Sequence, residues 1–302
     1  MKKLIYLMVI LLLLPPLSAC KAKEIANEIN LTAFVSSHSK MYDSPSVKYI
    51  KIEKSFEEWH KEAYGEEDVL PAESRVTVEF RGAKFTGNYT ESRDFGPWRK
   101  HIHEYSGNGC SFSINAQTGR LTNFSFEPWG LAIKYLDDTA SVEQCGKKAK
   151  EIAEQYIDTT LFELEYSQEY VYHNFTYVQY VEGKKTENKF TISFTESGRI
   201  NGFLNSVAKG YDKVKELDKQ YVSKLVEAVT SKEAENLATD EAKKALDGFN
   251  IAGTTVDSQR IYVLSDGRVM NYYCISVSYE APDETGMYTS APVDVVVFDS
   301  NI

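Results

Sequence analysis

The chain has 302 residues, 42% hydrophobic and 13% aromatic, with a formal net charge of −10. That length suits two or three small domains, and the apolar content excludes an intrinsically disordered chain. The acidic balance excludes nucleic acid as a partner, because phosphate recognition needs clustered Lys and Arg.

In chain order, Lys2 and Lys3 precede an uncharged apolar run, Leu4–Leu14, followed by Pro15, Pro16 and Leu17-Ser18-Ala19-Cys20. A basic start, a short apolar run and small residues before a cut site describe a secretory signal peptide. The run is too short for a membrane span, which takes roughly twenty residues. Leu17-Ser18-Ala19-Cys20 resembles the lipobox of bacterial lipoproteins. The resemblance implies cleavage before Cys20, a diacylglycerol on its sulfur, and a lipid anchor on the extracytoplasmic face of the cell membrane. Two acyl chains are what stable attachment takes. Residues 1–19 are therefore expected to be a lipoprotein signal peptide, and 20–50 the lipidated N-terminus and tether.

Beyond the tether, one pattern recurs: an amphipathic helix, then strands. In residues 51–136, Ile52, Phe56, Trp59 and Ala63 share one helical face. Strand-like segments follow at Arg75–Phe80, His101–Tyr105 and Cys110–Asn115. Cys110, Phe112 and Ile114 alternate with Ser111, Ser113 and Asn115, so one face is buried and one is wet. Thr118-Gly119-Arg120 turns the chain into a return strand, Leu121–Phe126.

Residues 137–210 repeat the pattern. Ser141 and Gln144 form a capping box ahead of a stripe of Val142, Cys145, Ala149, Ile152, Ala153 and Tyr156. Two aromatic strands are expected, about Glu169–Val181 and Lys189–Thr195, with Gly183 at the turn. Ser197-Gly198-Arg199 then leads into Ile200–Asn205. The two Gly-Arg turns lie about eighty residues apart, which suggests duplication.

Residues 211–302 begin with a linking helix, about Asp218–Val229. Thr230 and Glu233 suggest a second capping box, followed by a stripe of Ala234, Leu237, Ala238, Ala242, Ala245 and Leu246. Strands Thr255–Leu264 and Arg268–Tyr279 flank Asp266-Gly267, a hairpin signal, and Val293–Phe298 closes the chain without a return strand. The expected fold class is α+β: two or three repeated units, each an amphipathic helix packed on a small antiparallel β-sheet.

The stretches Phe112-Ser-Ile-Asn-Ala-Gln-Thr-Gly-Arg-Leu121 and Phe190-Thr-Ile-Ser-Phe-Thr-Glu-Ser-Gly-Arg-Ile200, each after a helix, resemble PepSY-like modules, including the YcdB/YcdC type of repeat. The resemblance implies non-catalytic modules, some of them linked to restraint of secreted peptidases. It makes 51–136 a divergent first unit, 137–210 a second, and 211–302 a linking helix and third.

Sequence motifs for catalysis are absent: there is no G-x-S-x-G, H-E-x-x-H or P-loop. His101-x-His103 with Glu104 is the one local metal-like cluster, since alternate strand residues point the same way. Two imidazoles without further ligands make a weak site. Cys110 and Cys145 are the pair open to a disulfide; the alternative is that they and Cys274 are buried free thiols. Phe95, Trp98 and Trp129 beside Gly-Pro or Pro turns either form a recognition surface or cap a small core.

The expectation is a non-enzymatic, lipid-anchored binding module without a cofactor. Its partner is an envelope peptide or protein, with a peptidase among the candidates. An exposed sheet edge would accept the peptide as an added strand. The alternative is a ligand- or metal-binding lipoprotein using the His101/His103 strand. Lipidation is assigned to Cys20, and no residue is assigned to catalysis, metal or partner binding.

Overall fold

The structure, a computed structural model, describes residues 29–38, 69–93, 101–107, 109–126, 140–208, 210–246, 248–263, 267–280 and 288–301. Cys20, the Ile52–Ala63 stripe, Phe95, Trp98 and Trp129 lie outside the described residues. The strands are β1 (Leu31–His38), β2 (Arg75–Phe80), β3 (Ala83–Arg93), β4 (Ile102–Gly107), β5 (Cys110–Asn115), β6 (Arg120–Phe126), β7 (Phe162–Glu169), β8 (Tyr172–Val181), β9 (Lys184–Thr195), β10 (Ile200–Asn205), β11 (Ile251–Val263), β12 (Val269–Glu280) and β13 (Tyr288–Asp299). The helices among the described residues are α1 (Val142–Ala153), α2 (Lys219–Val229) and α3 (Lys232–Ala245).

The expected small separate sheets are not what forms. The strands join one mixed sheet of 13 strands, ordered β1-β13-β12-β11-β9-β10-β6-β5-β4-β3-β2, with β8 and β7 branching from β9. The fold is therefore not a set of helix-on-small-sheet repeats. Two edge pairings make the difference. β10 pairs antiparallel with β6 through Gly202–Ser125, Phe203–Phe124 and Leu204–Asn123. β9 meets β11 in parallel at Thr186–Ile261. An unpaired strand edge exposes backbone donors and acceptors, and pairing neighbouring edges satisfies them.

The β6–β10 joint works because Gly202 has no side chain. A Cβ there would sit 2.2 Å from the Phe124 carbonyl oxygen. One aromatic core then spans the joint. Phe80 stacks on Phe124 at 4.8 Å, and Phe190 stacks on Phe203 at 5.4 Å. Phe124 and Phe203 meet across the joint at 6.4 Å. Helix α1 covers this core with Cys145, Ala149, Ile152 and Ala153, all buried. Its start is the anticipated capping box: the Gln144 backbone N–H donates to Ser141 Oγ at 3.3 Å, and the Ser141 N–H donates to Gln144 Oε1 at 2.7 Å. Val142, expected in the stripe, is instead exposed in the first turn.

Near the β9–β11 contact, buried polar side chains are satisfied by one another. Asn188 Nδ2 donates to Gln179 Oε1 at 2.6 Å, and Asn188 Oδ1 accepts from the Ala208 N–H at 2.9 Å. Gln179 Nε2 donates to the Tyr211 carbonyl at 3.0 Å. Such a network tolerates burial because its members are paired.

β13 is not an edge of the sheet, because a strand from much earlier in the chain pairs beside it. Part of the 20–50 stretch is not a tether: Leu31–His38 forms β1, antiparallel to β13. The buried Asp299 carboxylate clasps the two ends. Its Oδ1 accepts from the Asn30 and Asn301 N–H groups at 3.0 and 3.1 Å, and Tyr221 donates its O–H to Oδ2 at 3.1 Å. Burial first, and Asp299 second, push the Tyr221 hydroxyl up to about 12. Helices α2 and α3 pack on this part of the sheet, with Ala234, Ala238, Ala242 and Ala245 buried. The cap of α3 is Ser231, not Thr230; Thr230 closes α2 instead.

Two buried tyrosines give a direct stability test. Tyr273 donates its O–H to the Val229 carbonyl at 2.9 Å, whereas the buried Tyr177 hydroxyl has no partner among the described residues. Tyr273→Phe should cost about 1 kcal/mol, the net worth of one hydrogen bond, since the Val229 carbonyl then keeps only its bond from Asn271 Nδ2 at 3.0 Å. Tyr177→Phe should be neutral or stabilising, because an unpaired buried hydroxyl is a cost. Chemical denaturation of both variants reads the contrast, and equal losses would contradict it.

Candidate functional site

Among the described residues, β1, β2 and β7 each pair on one side only. Their edges differ in chemistry. β1 packs Leu31, Ala33 and Val35 into the core under α3. β2 turns Val76 and Val78 toward the core and exposes Arg75, Thr77 and Glu79. β7 leaves two apolar side chains open on one face: Leu164 is 51% exposed and Tyr166 48%.

The β7–β8 hairpin closes with the Glu169–Tyr172 pair around Tyr170 and Val171. Tyr170 sits in the left-handed region at φ 54, a sparse conformation for an aromatic residue. A two-residue turn makes the closing pair a hydrogen-bonded one, and antiparallel pairs alternate from there. Ser167, Glu165 and Glu163 therefore bond to β8, while the backbone groups of Leu164, Tyr166 and Gln168 point away from it. Phe162 N–H, also outward by this count, donates to the Thr159 carbonyl of the preceding turn.

Side chains alternate across the same strand. Leu164 and Tyr166 stand opposite Tyr177 and Phe175 on the α1 side of the sheet. Tyr166 packs 5.3 Å from the Phe175 ring, and its hydroxyl meets His173 Nδ1 at 2.9 Å. Gly146 lets α1 approach closely, since a Cβ there would lie 3.1 Å from the Phe175 ring edge. On the other face lie Glu163, Glu165, Ser167 and Glu169. Lys185 reaches both Glu165 oxygens at 2.7 Å, and Tyr180 donates to Oε1 at 2.9 Å. The Lys185 ammonium beside it, with help from Tyr180, holds the Glu165 carboxyl below its ordinary range.

The residues singled out by sequence fall elsewhere. His101 precedes β4 with φ 56, so it is not on the strand with His103. Both His103 nitrogens have protein partners: Ser92 Oγ at 2.7 Å from Nδ1, and the Leu70 carbonyl at 2.9 Å from Nε2. The carbonyl accepts, so Nε2 carries the proton and Nδ1 accepts from Ser92 when the ring is neutral. The two imidazoles are thus not presented together to one ion. Among the described residues, no group of three or more His, Cys, Asp or Glu side chains is arranged for a metal.

Cys110, Cys145 and Cys274 are not joined in a disulfide. Cys110 Sγ donates to the Gly107 carbonyl at 3.1 Å. Burial pushes the Cys145 thiol up, and burial with nearby Asp294 pushes Cys274 up to about 11. A thiol held protonated is a poor nucleophile. A cleft of about 470 Å³ opens beside the end of α1, lined in part by Tyr156, Asp158 and Tyr211. Its polar groups hold the chain together: the Asp158 N–H donates to Tyr211 Oη at 2.7 Å, and Asp158 Oδ1 accepts from Thr160 Oγ1 at 2.6 Å.

The β7 edge was not anticipated. Phe162, Leu164 and Tyr166 alternate with Glu163, Glu165 and Ser167, a signal for a half-buried strand. No Gly, Pro or Asn marks the turn at Tyr170-Val171, so β7 and β8 do not separate by punctuation.

No family model matches the chain, and no curated protein matches it. A solved structure, the Bacillus megaterium YpeB C-terminal domain, overlaps it weakly, with a TM-score of 0.28 and 11% sequence identity. The overlap covers 72% of this chain and 88% of that one.

Proposed function

We propose that this protein is an extracytoplasmic lipoprotein, anchored through Cys20, that binds an extended envelope peptide or protein without transforming it. A secreted peptidase is among the candidate partners. The observation that carries the binding role is the open β7 edge, with outward backbone groups and the exposed side chains of Leu164 and Tyr166. An extended chain added there would gain main-chain hydrogen bonds and pockets for alternate side chains. Leu17-Ser18-Ala19-Cys20 supports the anchor.

The anchor is tested by fractionation. Cys20→Ala should shift the protein out of the lipid-modified membrane fraction; unchanged detergent partitioning would refute lipidation. The binding role is tested with purified protein, which should bind a partner stoichiometrically and show no turnover. A reproducible hydrolase or transferase activity lost on changing His101, His103 or His173 would replace this function with an enzymatic one.

A further inference from the structure

Resting on the strand-addition function just proposed, we infer that the β7 edge takes a segment in which apolar residues alternate with lysine or arginine. The backbone of β7 offers outward N–H and C=O groups at Leu164, Tyr166 and Gln168, a register that repeats every second residue. An added strand would place its alternate side chains about 4.5–5.5 Å from those of β7, close enough to select their chemistry.

On the α1 side, that neighbour meets the half-exposed Leu164 and Tyr166, and Tyr166 is steadied by the His173 contact. Apolar residues fit there. On the other side it meets Glu163, Glu165 and Glu169. Lys185 already engages Glu165, while Glu163 and Glu169 are exposed. Basic residues complement that row. The hairpin tip extends the apolar contact, with Tyr170 95% exposed and Val171 50%.

The same charges argue against a second copy as the occupant. Two β7 strands paired edge to edge would set acidic rows side by side, and like charges on neighbouring strands destabilise a sheet. Acidic residues on an open edge deter such self-pairing and leave the edge selective for a basic partner.

The experiment uses the full-length chain in detergent and two synthetic peptides of about nine residues, long enough for one strand. One alternates valine with lysine, the other valine with glutamate. The lysine peptide should bind about fivefold tighter or better at low ionic strength, and the preference should fade near 0.5 M salt. Hydrogen exchange should show protection at the amides of Leu164, Tyr166 and Gln168. The double substitution Glu163→Lys and Glu169→Lys should reverse the preference. Gln168→Pro, which removes one outward N–H without touching the β8 ladder, should weaken both peptides. Equal affinity for the two peptides, or protection at β1 or β2 instead, overturns this inference and leaves strand addition standing. Failure of both peptides to bind at about millimolar concentration, an affinity near −4 kcal/mol, overturns strand addition as well.

Discussion

Replacing Ile152 by alanine is expected to destabilise the protein by about 2–5 kcal/mol, the range for truncating a buried aliphatic side chain. Ile152 is fully buried on α1, in the core shared by β2–β6 and β8–β10. Ile152 belongs to a buried cluster rich in aromatic residues, and the cost within that range depends on how far the cluster can close around the missing atoms. Lys150, two residues away, is the control. Its ammonium lies 3.8 Å from Glu154 in an exposed pair, and such pairs contribute at most about 1 kcal/mol. Lys150→Ala should therefore leave the melting temperature nearly unchanged. Since the core crosses the β6–β10 joint, Ile152→Ala should also speed hydrogen exchange in β5, not only in β8 and β9. Equal shifts for the two variants would refute the buried face. Loss confined to β8 and β9 would refute the shared core.

Gly202→Ala is expected to cost about 3 kcal/mol or more, at the upper end of overpacking penalties. The new methyl group would meet the Phe124 carbonyl oxygen at 2.2 Å and Ser125 Cα at 3.0 Å. Both are backbone atoms, so no side chain can swing aside. Relief requires β10 and β6 to part, which gives up the Phe203–Phe124 and Leu204–Asn123 pairings and opens the aromatic core beneath them. Gly253→Ala in β11 is the matched control, with nothing within 4 Å of the added Cβ. That change should fall within about 0.5 kcal/mol of neutral, or stabilise slightly by restricting the unfolded chain. Denaturant titration of both variants measures the difference, and comparable midpoints would show that the joint yields at little cost.

Several elements were legible from sequence because their signals are local. Ser141 and Gln144 are three residues apart and cap α1 as expected. Asp218 caps α2 where the linking helix was placed. Phe190, Ile192 and Phe194 alternate in sequence and are all buried. Gly119, Gly183 and Gly198 adopt positive φ at turns that glycine signals. The candidate site was less legible. Alternation marks β7 as a strand, but Tyr170 in the left-handed region is not a residue that announces a turn. The His101–His103 pair shows the converse. Its spacing fits one strand face, yet β4 begins one residue later, and Ser92 and Leu70 take both His103 nitrogens.

What the sequence determined by itself is which face of each strand and helix is apolar, and where most turns and caps fall. These depend on side chains a few positions apart, whose chemistry differs from residue to residue. What only the tertiary structure decided is which edges meet. Backbone N–H and C=O groups are the same at nearly every position, so an edge carries little record of its neighbour. That is why β10 joining β6, β1 adding to the sheet beside β13, and β7 pairing on one side only among the described residues were decided by the tertiary structure.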